Sequence, residues 1–187
     1  DPVFVRSGDW VVLEGNSRLA AYRALSEKNP HRWAKIKAKV LPEDISENLV
    51  FALLGEYHII GRKDWQPYEQ AGYLYRRHKK HGKSLDVMAK EMGITSGKLK
   101  HLIRVYEFMI DHNENKVNRW SYWDEYLKSK YIAHARNGEP GLDEKVVSEV
   151  RTGGIQKATD IRDKLKVVAK ASKNSKRGRK IIRRFIK

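Results

Sequence analysis

One segment, SLDVMAKEMGITSGKLKHLIRVYEF at residues 84–108, restricts the fold more than any other part of the chain. A helix-turn-helix needs a small residue where its two helices touch and a glycine in the turn between them. Ala89 and Gly93 have the spacing that these two positions require. Apolar residues bracket them as a core requires: Leu85, Met88, Ile94, Leu99 and Leu102. The segment therefore predicts two helices joined by a tight turn, with Thr95 or Ser96 as the N-cap of the second.

The second helix of this segment leaves a polar and basic side facing outward. Its residues are small or polar near the helix start and basic farther along: Thr95, Ser96, Gly97, Lys100, His101 and Arg104. A helix N-terminus suits the base edges of a major groove, and later cations suit phosphates. We therefore predict that these six residues bind double-stranded DNA. The alternative is an ordinary helical hairpin with a solvated basic face.

The charge of the chain favours the same kind of partner. The sequence has 39 Lys and Arg against 23 Asp and Glu, a formal net charge of +16. Such an excess favours a polyanion, because neutralising phosphates releases condensed counterions. The alternatives are a lysine-rich surface without such a partner and binding to membrane headgroups. Nucleic acid is favoured over both alternatives, and we expect no membrane partner. No apolar run approaches the ~18 residues of a membrane span. The absence of cysteine excludes disulfides and thiolate metal sites, and it is typical of a cytoplasmic protein.

Residues 1–66 have the pattern of a small mixed α/β lobe. Two short strands before residue 15 are separated by a Ser-Gly-Asp turn, and a helix rich in small residues follows. Residues 35–41, KIKAKVL, alternate strictly and predict a half-buried strand whose covered side carries Ile36, Ala38 and Val40. A further helix has Ser46 as its N-cap and Leu49 among its inward residues. The predicted order is β-β-α-β-α.

From Pro67 onward the pattern is helical. Residues 67–112 form the predicted helix-turn-helix DNA-binding region, which opens with a helix that ends at Gly82. Residues 113–187 form a predicted helical extension that contains an aromatic-rich helix over 119–136. The predicted fold class is α+β, with a small mixed lobe, an all-helical helix-turn-helix region and a basic helical C-terminal extension.

The end of the chain, residues 173–187, contains eight Lys and Arg and no acid. Four apolar residues within it form a stripe at helical spacing: Ile181, Ile182, Phe185 and Ile186. We interpret the segment as a docked helix with a cationic side that faces DNA, and disorder is the alternative.

The turn EGNSR at residues 14–18 leads from a strand into a helix and predicts an anion site. Gly15 allows close backbone approach, the helix N-terminus supplies free N–H groups, and Arg18 adds a forked cation. Asn16 donates and accepts hydrogen bonds without adding charge, and Glu14 either holds Arg18 in place or coordinates a metal. The alternative is that Asn16 and Ser17 only cap the helix while Glu14 pairs with Arg18.

A strand, Glu-Gly-Asn-x-Arg, a small-residue helix and then a helix-turn-helix make an order of parts that resembles the ParB/KorB family. The family motif reads Gly-Glu-x-Arg, so Gly15 and Arg18 match, whereas Asn16 replaces the glutamate and Ala20 replaces a common arginine. A second family motif, Glu-Asn-x-x-Arg before a Leu-Asn-Pro helix start, is similar to HIIGRKDWQP. Arg62 and Pro67 match there, and His58 and Ile59 stand in place of glutamate and asparagine.

The resemblance implies a ParB/sulfiredoxin-like N-terminal lobe with a phosphate or nucleotide pocket, which holds CTP in partition proteins. Its positions in this chain would be Glu14, Gly15, Asn16, Arg18, His58 and Arg62. The resemblance also implies a cytoplasmic homodimer on nucleoid or plasmid DNA, acting in partition or transcription regulation. Both nucleotide motifs are altered here, and ParB-like regulators outside the partition system look like the nearer kin.

Two other functions are compatible with the same parts. Relatives of the fold include enzymes, so the pocket is alternatively that of a CTPase, nuclease or kinase. No catalytic residue and no metal ligand are assigned, because no tight carboxylate cluster for two metals is visible. A sulfiredoxin reaction is excluded, since it needs a cysteine. An RNA-binding protein is the third possibility, and neither an RNP nor a KH signature supports it.

Overall fold

The computed structural model describes residues 1–55 and 66–186, which belong to two compact units, Asp1–Asp64 and Trp65–Lys187. The division lies two residues before the predicted boundary at residue 66. The predicted regions 67–112 and 113–187 belong to one unit. The architecture is α-rich with one small mixed sheet, so the α+β class is confirmed at this level.

The first unit contains a three-stranded sheet with β1 in the middle. The strands are β1 (Val3–Arg6), β2 (Val12–Glu14) and β3 (Ala38–Leu41). β1 pairs antiparallel with β2 and parallel with β3. A parallel neighbour requires a crossover connection, and the chain between β2 and β3 supplies it with helices.

Three helices of this unit are described: α1 (Asn16–Lys28), α2 (Pro30–Trp33) and α3 (Glu47–Gly55). The predicted order β-β-α-β-α is confirmed, with the single turn of α2 added to it. Ser46 caps α3 as predicted, because its hydroxyl accepts the N–H of Leu49 at 3.3 Å.

The burial predicted for this unit is partly wrong. β3 is an edge strand of the described sheet with little burial, and the side chain of Val40, predicted to be covered, is 55% exposed. Leu49 of α3 was expected to face inward and is 56% exposed. The physical reason is that alternation shows which residues share a side of a strand, whereas coverage depends on what packs there.

The regular elements described in the second unit, residues 66–186, are all helical. Its first three helices are α4 (Pro67–Lys79), α5 (Leu85–Glu91) and α6 (Ser96–Asp111). After a 3₁₀ turn at Val117–Arg119, the remaining elements are α7 (Trp120–Lys128), α8 (Lys130–Gly138), α9 (Leu142–Thr152), α10 (Ala158–Asp160), a π-helical turn (Ile161–Leu165), α11 (Lys166–Asn174) and α12 (Lys176–Ile186).

The prediction of one helix over 119–136 is wrong, because the chain breaks at Ser129 into α7 and α8. The backbone of Ser129 is extended, with ψ at 115°, and its hydroxyl accepts the N–H of Ile132 at 3.4 Å. Ser129 therefore acts as the N-cap of α8. Amphipathic spacing continues through such a corner, so the sequence pattern does not reveal it.

Aromatic residues form the centre of this unit. Trp123 and Tyr126 of α7 are fully buried, and the ring of Phe108 in α6 lies 5.3 Å and 5.7 Å from their respective ring centroids. α6 is thus packed against α7 through Phe108.

A hydrogen-bonded ion pair adjoins this core. Arg136 donates two bonds to the carboxylate of Asp143, at 2.6 Å and 2.7 Å, and the hydroxyl of Tyr126 donates a third at 2.7 Å.

No helix in the described ranges is long and apolar enough to cross a membrane.

Candidate nucleic-acid interface

Helices α5 and α6, which follow α4, are the two helices joined by a tight turn that the sequence predicts. Ala89, Met88 and Leu99 are buried, and the other predicted core residues are half-buried: Leu85, Ile94 and Leu102. Gly93 has φ at +61°, a left-handed conformation that favours glycine. The N–H of Ile94 reaches the carbonyl of Ala89 at 3.1 Å, which ends α5 with a Schellman turn.

The start of α6 is exposed and capped. Thr95 is the N-cap, and its hydroxyl accepts the N–H of Lys98 at 3.2 Å. Gly97 is exposed, and a Cβ there would meet only the Thr95 hydroxyl, at 4.0 Å. The hydroxyl of Ser96 donates to Asp86 of α5 at 2.7 Å. Of the small residues predicted to approach DNA, Thr95 and Gly97 therefore lie open and Ser96 bonds to the neighbouring helix.

Lys100 is exposed on the side of α6 that also carries Ser96 and Arg104, since these residues are spaced by four. This spacing brings the predicted cation next to the predicted helix entry. The side chain of Lys100 makes no ion pair with any described residue. It therefore presents a free ammonium to the solvent.

Lys98 is a second exposed cation at the start of α6, and the sequence prediction omitted it. It shares a side of the helix with Leu102, Val105 and Met109, and that side is largely covered farther along. The helical pattern therefore assigns Lys98 to the core. Lys98 is nonetheless exposed, whereas Leu99 beside it is fully buried.

His101 and Arg104, also predicted to bind DNA, fasten α6 to α7. The Nε2 atom of His101 lies 2.8 Å from Oδ1 of Asp124. The Nη2 atom of Arg104 donates to the carbonyl of Leu127 at 2.8 Å and lies 3.0 Å from Nδ1 of His101. Because Nδ1 accepts from Arg104, the imidazole hydrogen is on Nε2 and points to Asp124. Arg104 is nonetheless exposed, and its Nη1 and Nε atoms donate to no described residue.

The turn before α1 contains a paired glutamate and arginine. Glu14 is buried, and its carboxylate accepts a hydrogen bond from Nη2 of Arg18. The other terminal nitrogen of Arg18 donates to the carbonyl of Asp1 at 2.9 Å. Gly15 has φ at +98°, and a Cβ there would lie 2.6 Å from Cγ1 of Val3. The guanidinium predicted to bind an anion is thus engaged within the unit.

Asn16 and Ser17 are exposed at the first turn of α1 and do not cap it. Gly15 is the N-cap, without a side-chain hydrogen bond, and the first turn of α1 contains no acid. The alternative to an anion site was that Asn16 and Ser17 cap α1 while Glu14 pairs with Arg18. The ion pair is present, and the side-chain cap is not. His58 and Arg62 lie outside the described residues.

The positive charge is concentrated in the unit that contains the helix-turn-helix. Residues 65–187 contain 29 Lys and Arg and 14 Asp and Glu, a formal charge of +15. Residues 1–64 contain 10 Lys and Arg and 9 Asp and Glu. Within residues 1–55 and 66–186, no group of three His, Asp or Glu is arranged to hold a metal ion.

The chain thus combines two units. The first is a small mixed α/β unit, and the second is a basic helical unit that contains the helix-turn-helix. The chain matches no model of a known protein family, and no curated protein matches it in sequence.

Proposed function

We propose that this protein is a ParB-like DNA-binding protein, of the partition or transcription-regulator type, that binds duplex DNA through α5 and α6. The observation that carries the proposal is the exposed, capped start of α6, where Thr95, Gly97 and Lys100 lie open to the solvent. This start belongs to a unit with a formal charge of +15. A helix N-terminus with small residues approaches bases closely, and its dipole favours phosphate.

In this mechanism the first two turns of α6 enter the major groove. Lys100 donates to guanine O6 or N7 or to a backbone phosphate, and Thr95 donates through its hydroxyl. Arg104 has a double role, because Nη2 holds α7 while Nη1 and Nε are directed to a phosphate. His101 acts as a positioning residue that fixes the angle between α6 and α7.

A homodimer would bring two copies of α6 to a symmetric DNA site, with half-sites about one helical turn, or ~34 Å, apart. Exposed apolar residues in the first unit support dimerisation through it: Trp10, Val11, Leu25, Val40 and Leu49. Isolated apolar residues are ordinary on a surface, and five in a unit this small favour a protein contact.

The nucleotide or phosphate pocket in the first unit is a second part of the proposal. Gly15, with a left-handed backbone, leads into a helix whose exposed first turn contains Asn16 and Ser17 and no acid. A phosphate would take Arg18 from Glu14, so binding would break an existing ion pair. We expect any nucleotide such as CTP to bind weakly and to lose its affinity in Arg18→Ala.

A selection from random duplexes tests the DNA proposal and gives the site. Lys100→Ala should then weaken binding to the selected duplex by about 1–3 kcal/mol, which is the usual loss of one base contact. Lys98→Ala is the matched control, since it removes the same charge from another side of the same turn and should have a smaller effect. Equal losses of affinity in the two variants would show that α6 does not recognise the base sequence.

Nucleotide titration with and without DNA separates the regulator from the enzyme. Binding without release of phosphate would indicate a ligand-sensing unit. If the protein releases phosphate steadily and Arg18→Ala abolishes this release, the protein is an enzyme. The pocket would then be a catalytic site and not the ligand-sensing site of a regulator.

A further inference from the structure

Helix α12 presents a row of six cations on one side. An 11-residue α-helix is about 16 Å long, and a 3.6-residue repeat places these residues within less than half of its circumference. All six are exposed: Lys176, Arg177, Arg179, Lys180, Arg183 and Arg184. The proposed function does not use this row.

The opposite side of α12 is docked on the protein. Ile182 is buried, and Gly178 lies so close to the backbone of Ala171 and Ser172 that a Cβ would overlap it. The hydroxyl of Ser175 accepts the N–H of Gly178 at 3.0 Å and fixes the first turn. The helix is therefore held in one orientation, with its cations outward. A membrane-surface helix would instead present its apolar side to the lipid.

The row is largely uncompensated by acids. The sequence has no Asp or Glu after Asp163. Arg183 pairs with Glu139 at 2.8 Å, and in the described part of the chain the other five cations of α12 have no ion pair. Like charges at this spacing repel one another, and an incoming polyanion relieves that repulsion while it releases counterions.

A cleft beside the row has the size and charge for a phosphate group. It has a volume of about 310 Å³ and lies between the end of α8, α11 and α12. Three cations and a histidine line it, with one acid that already pairs with Arg183: Lys173, Arg179, Arg183, His134 and Glu139. Arg179 and Arg183 belong both to the cationic row and to the lining of the cleft, so the two positively charged surfaces are continuous.

We propose that α12 and this cleft form a second, sequence-independent contact with the phosphate backbone of duplex DNA. That this surface binds a polyanion is inferred from the cations of α12. That the polyanion is duplex DNA rests on the proposed function. Side chains on a regular helix that meet only charge contribute affinity without reading bases. The contact would hold the protein on any sequence while α6 supplies discrimination.

The test compares two full-length variants that lose the same charge. Lys176→Gln/Arg179→Gln/Lys180→Gln removes three cations of α12, and Arg23→Gln/Lys28→Gln/Lys35→Gln removes three exposed cations of the first unit. Binding to a random-sequence duplex and to a selected duplex is measured by fluorescence anisotropy over a range of NaCl concentrations. Circular dichroism checks that both variants keep their helices.

We expect the α12 variant to bind both duplexes at least about tenfold more weakly at 0.1 M salt. A plot of log affinity against log salt concentration has a negative slope. The magnitude of this slope should decrease by roughly 2 to 3, since each phosphate contact contributes about 0.9. The control variant should keep the slope of the unmodified protein. Equal slopes in the two variants would overturn the inference.

Failure of the proposed function would look different. If Lys100→Ala changed nothing while the α12 variant lost affinity and slope, α6 would not be the reader and α12 would still be a backbone contact. If the protein bound structured RNA but not duplex DNA, with the same loss in the α12 variant, duplex DNA would be the wrong partner.

Discussion

The Nη1 atom of Arg77 lies 2.7 Å from Oε2 of Glu91, and this pair joins the last turn of α4 to the end of α5. The side chain of Arg77 is only 3% exposed, so its charge depends on Glu91. Lys83 approaches the other carboxylate oxygen at 3.1 Å. One carboxylate thus fixes α5 against α4 and sets the position from which α6 departs.

Glu91→Ala should destabilise the second unit by about 2 kcal/mol, because it leaves a buried guanidinium without its counter-charge. Chemical denaturation measures this loss. Glu107→Ala, which removes the partner of the exposed Lys79, is the control and should cost less than about 1 kcal/mol. Similar losses for the two variants would contradict a special role of the Arg77 pair.

His101 is expected to act on stability rather than on base reading. His101→Ala removes the contact with Asp124 and should lower the free energy of unfolding by about 1 kcal/mol. Asp124→Ala removes the other partner and should cost a similar amount, and the double variant should cost less than the two together. Additive losses from the double variant would show that the two residues stabilise the protein independently.

Gly15 and Gly97 should respond oppositely to alanine. Gly15→Ala places a Cβ at φ +98° and against Val3, so we expect a loss of at least about 1 kcal/mol in the first unit. Gly97→Ala adds a methyl group to open space in a helix and should stabilise the second unit by up to about 1 kcal/mol. Thermal unfolding measures both changes. A neutral Gly15→Ala would mean that the turn relaxes freely.

Asp143 should make part of the stability depend on acid pH. Burial raises the pKa of this carboxyl, but hydrogen bonds from Arg136 and Tyr126 outweigh it and hold the pKa below the ordinary 3.8. Because the pKa of Asp143 is lower in the folded state than in the unfolded state, its carboxylate stabilises the fold at pH values above about 3.8. This contribution disappears as the pH falls from about 3.8 through the pKa of the folded state.

Asp143→Asn should therefore be less stable than the unmodified protein at pH 7, by about 2 kcal/mol, and the difference should shrink toward pH 2. Denaturation midpoints across this pH range measure it. Tyr126→Phe is the control, since it removes one hydrogen bond and leaves the charge pair with Arg136. A difference that stays constant with pH would contradict the role assigned to the carboxylate.

Much of the fold was predictable from local patterns. The burial of Ala89, the left-handed turn at Gly93 and the cap at Thr95 were all predicted from residues within one short segment. The order of strands and helices in the first unit is local in the same way. The break at Ser129 escaped prediction because apolar spacing continues across it.

The candidate site was predictable in its elements and less so in its side chains. Lys100 is exposed on the side of α6 that its spacing assigns. Lys98 is exposed although its neighbours at helical spacing are largely buried, because spacing shows which residues share a side of a helix and not how far that side is covered. The partner of His101 lies 23 residues away in the chain, and no spacing rule connects Asp124 to it.

Sequence alone determined the parts whose energetics are local: the glycine turn, the helix cap and the strong basic excess. Each depends on backbone conformation or on a charge count, and neither requires knowledge of distant residues. Tertiary structure decided which exposed groups are already engaged, such as Arg18 with Glu14 and Arg104 with the Leu127 carbonyl. It also decided between the docked helix and the disordered segment that the sequence left open for residues 173–187, because burial and pairing arise only when distant segments meet.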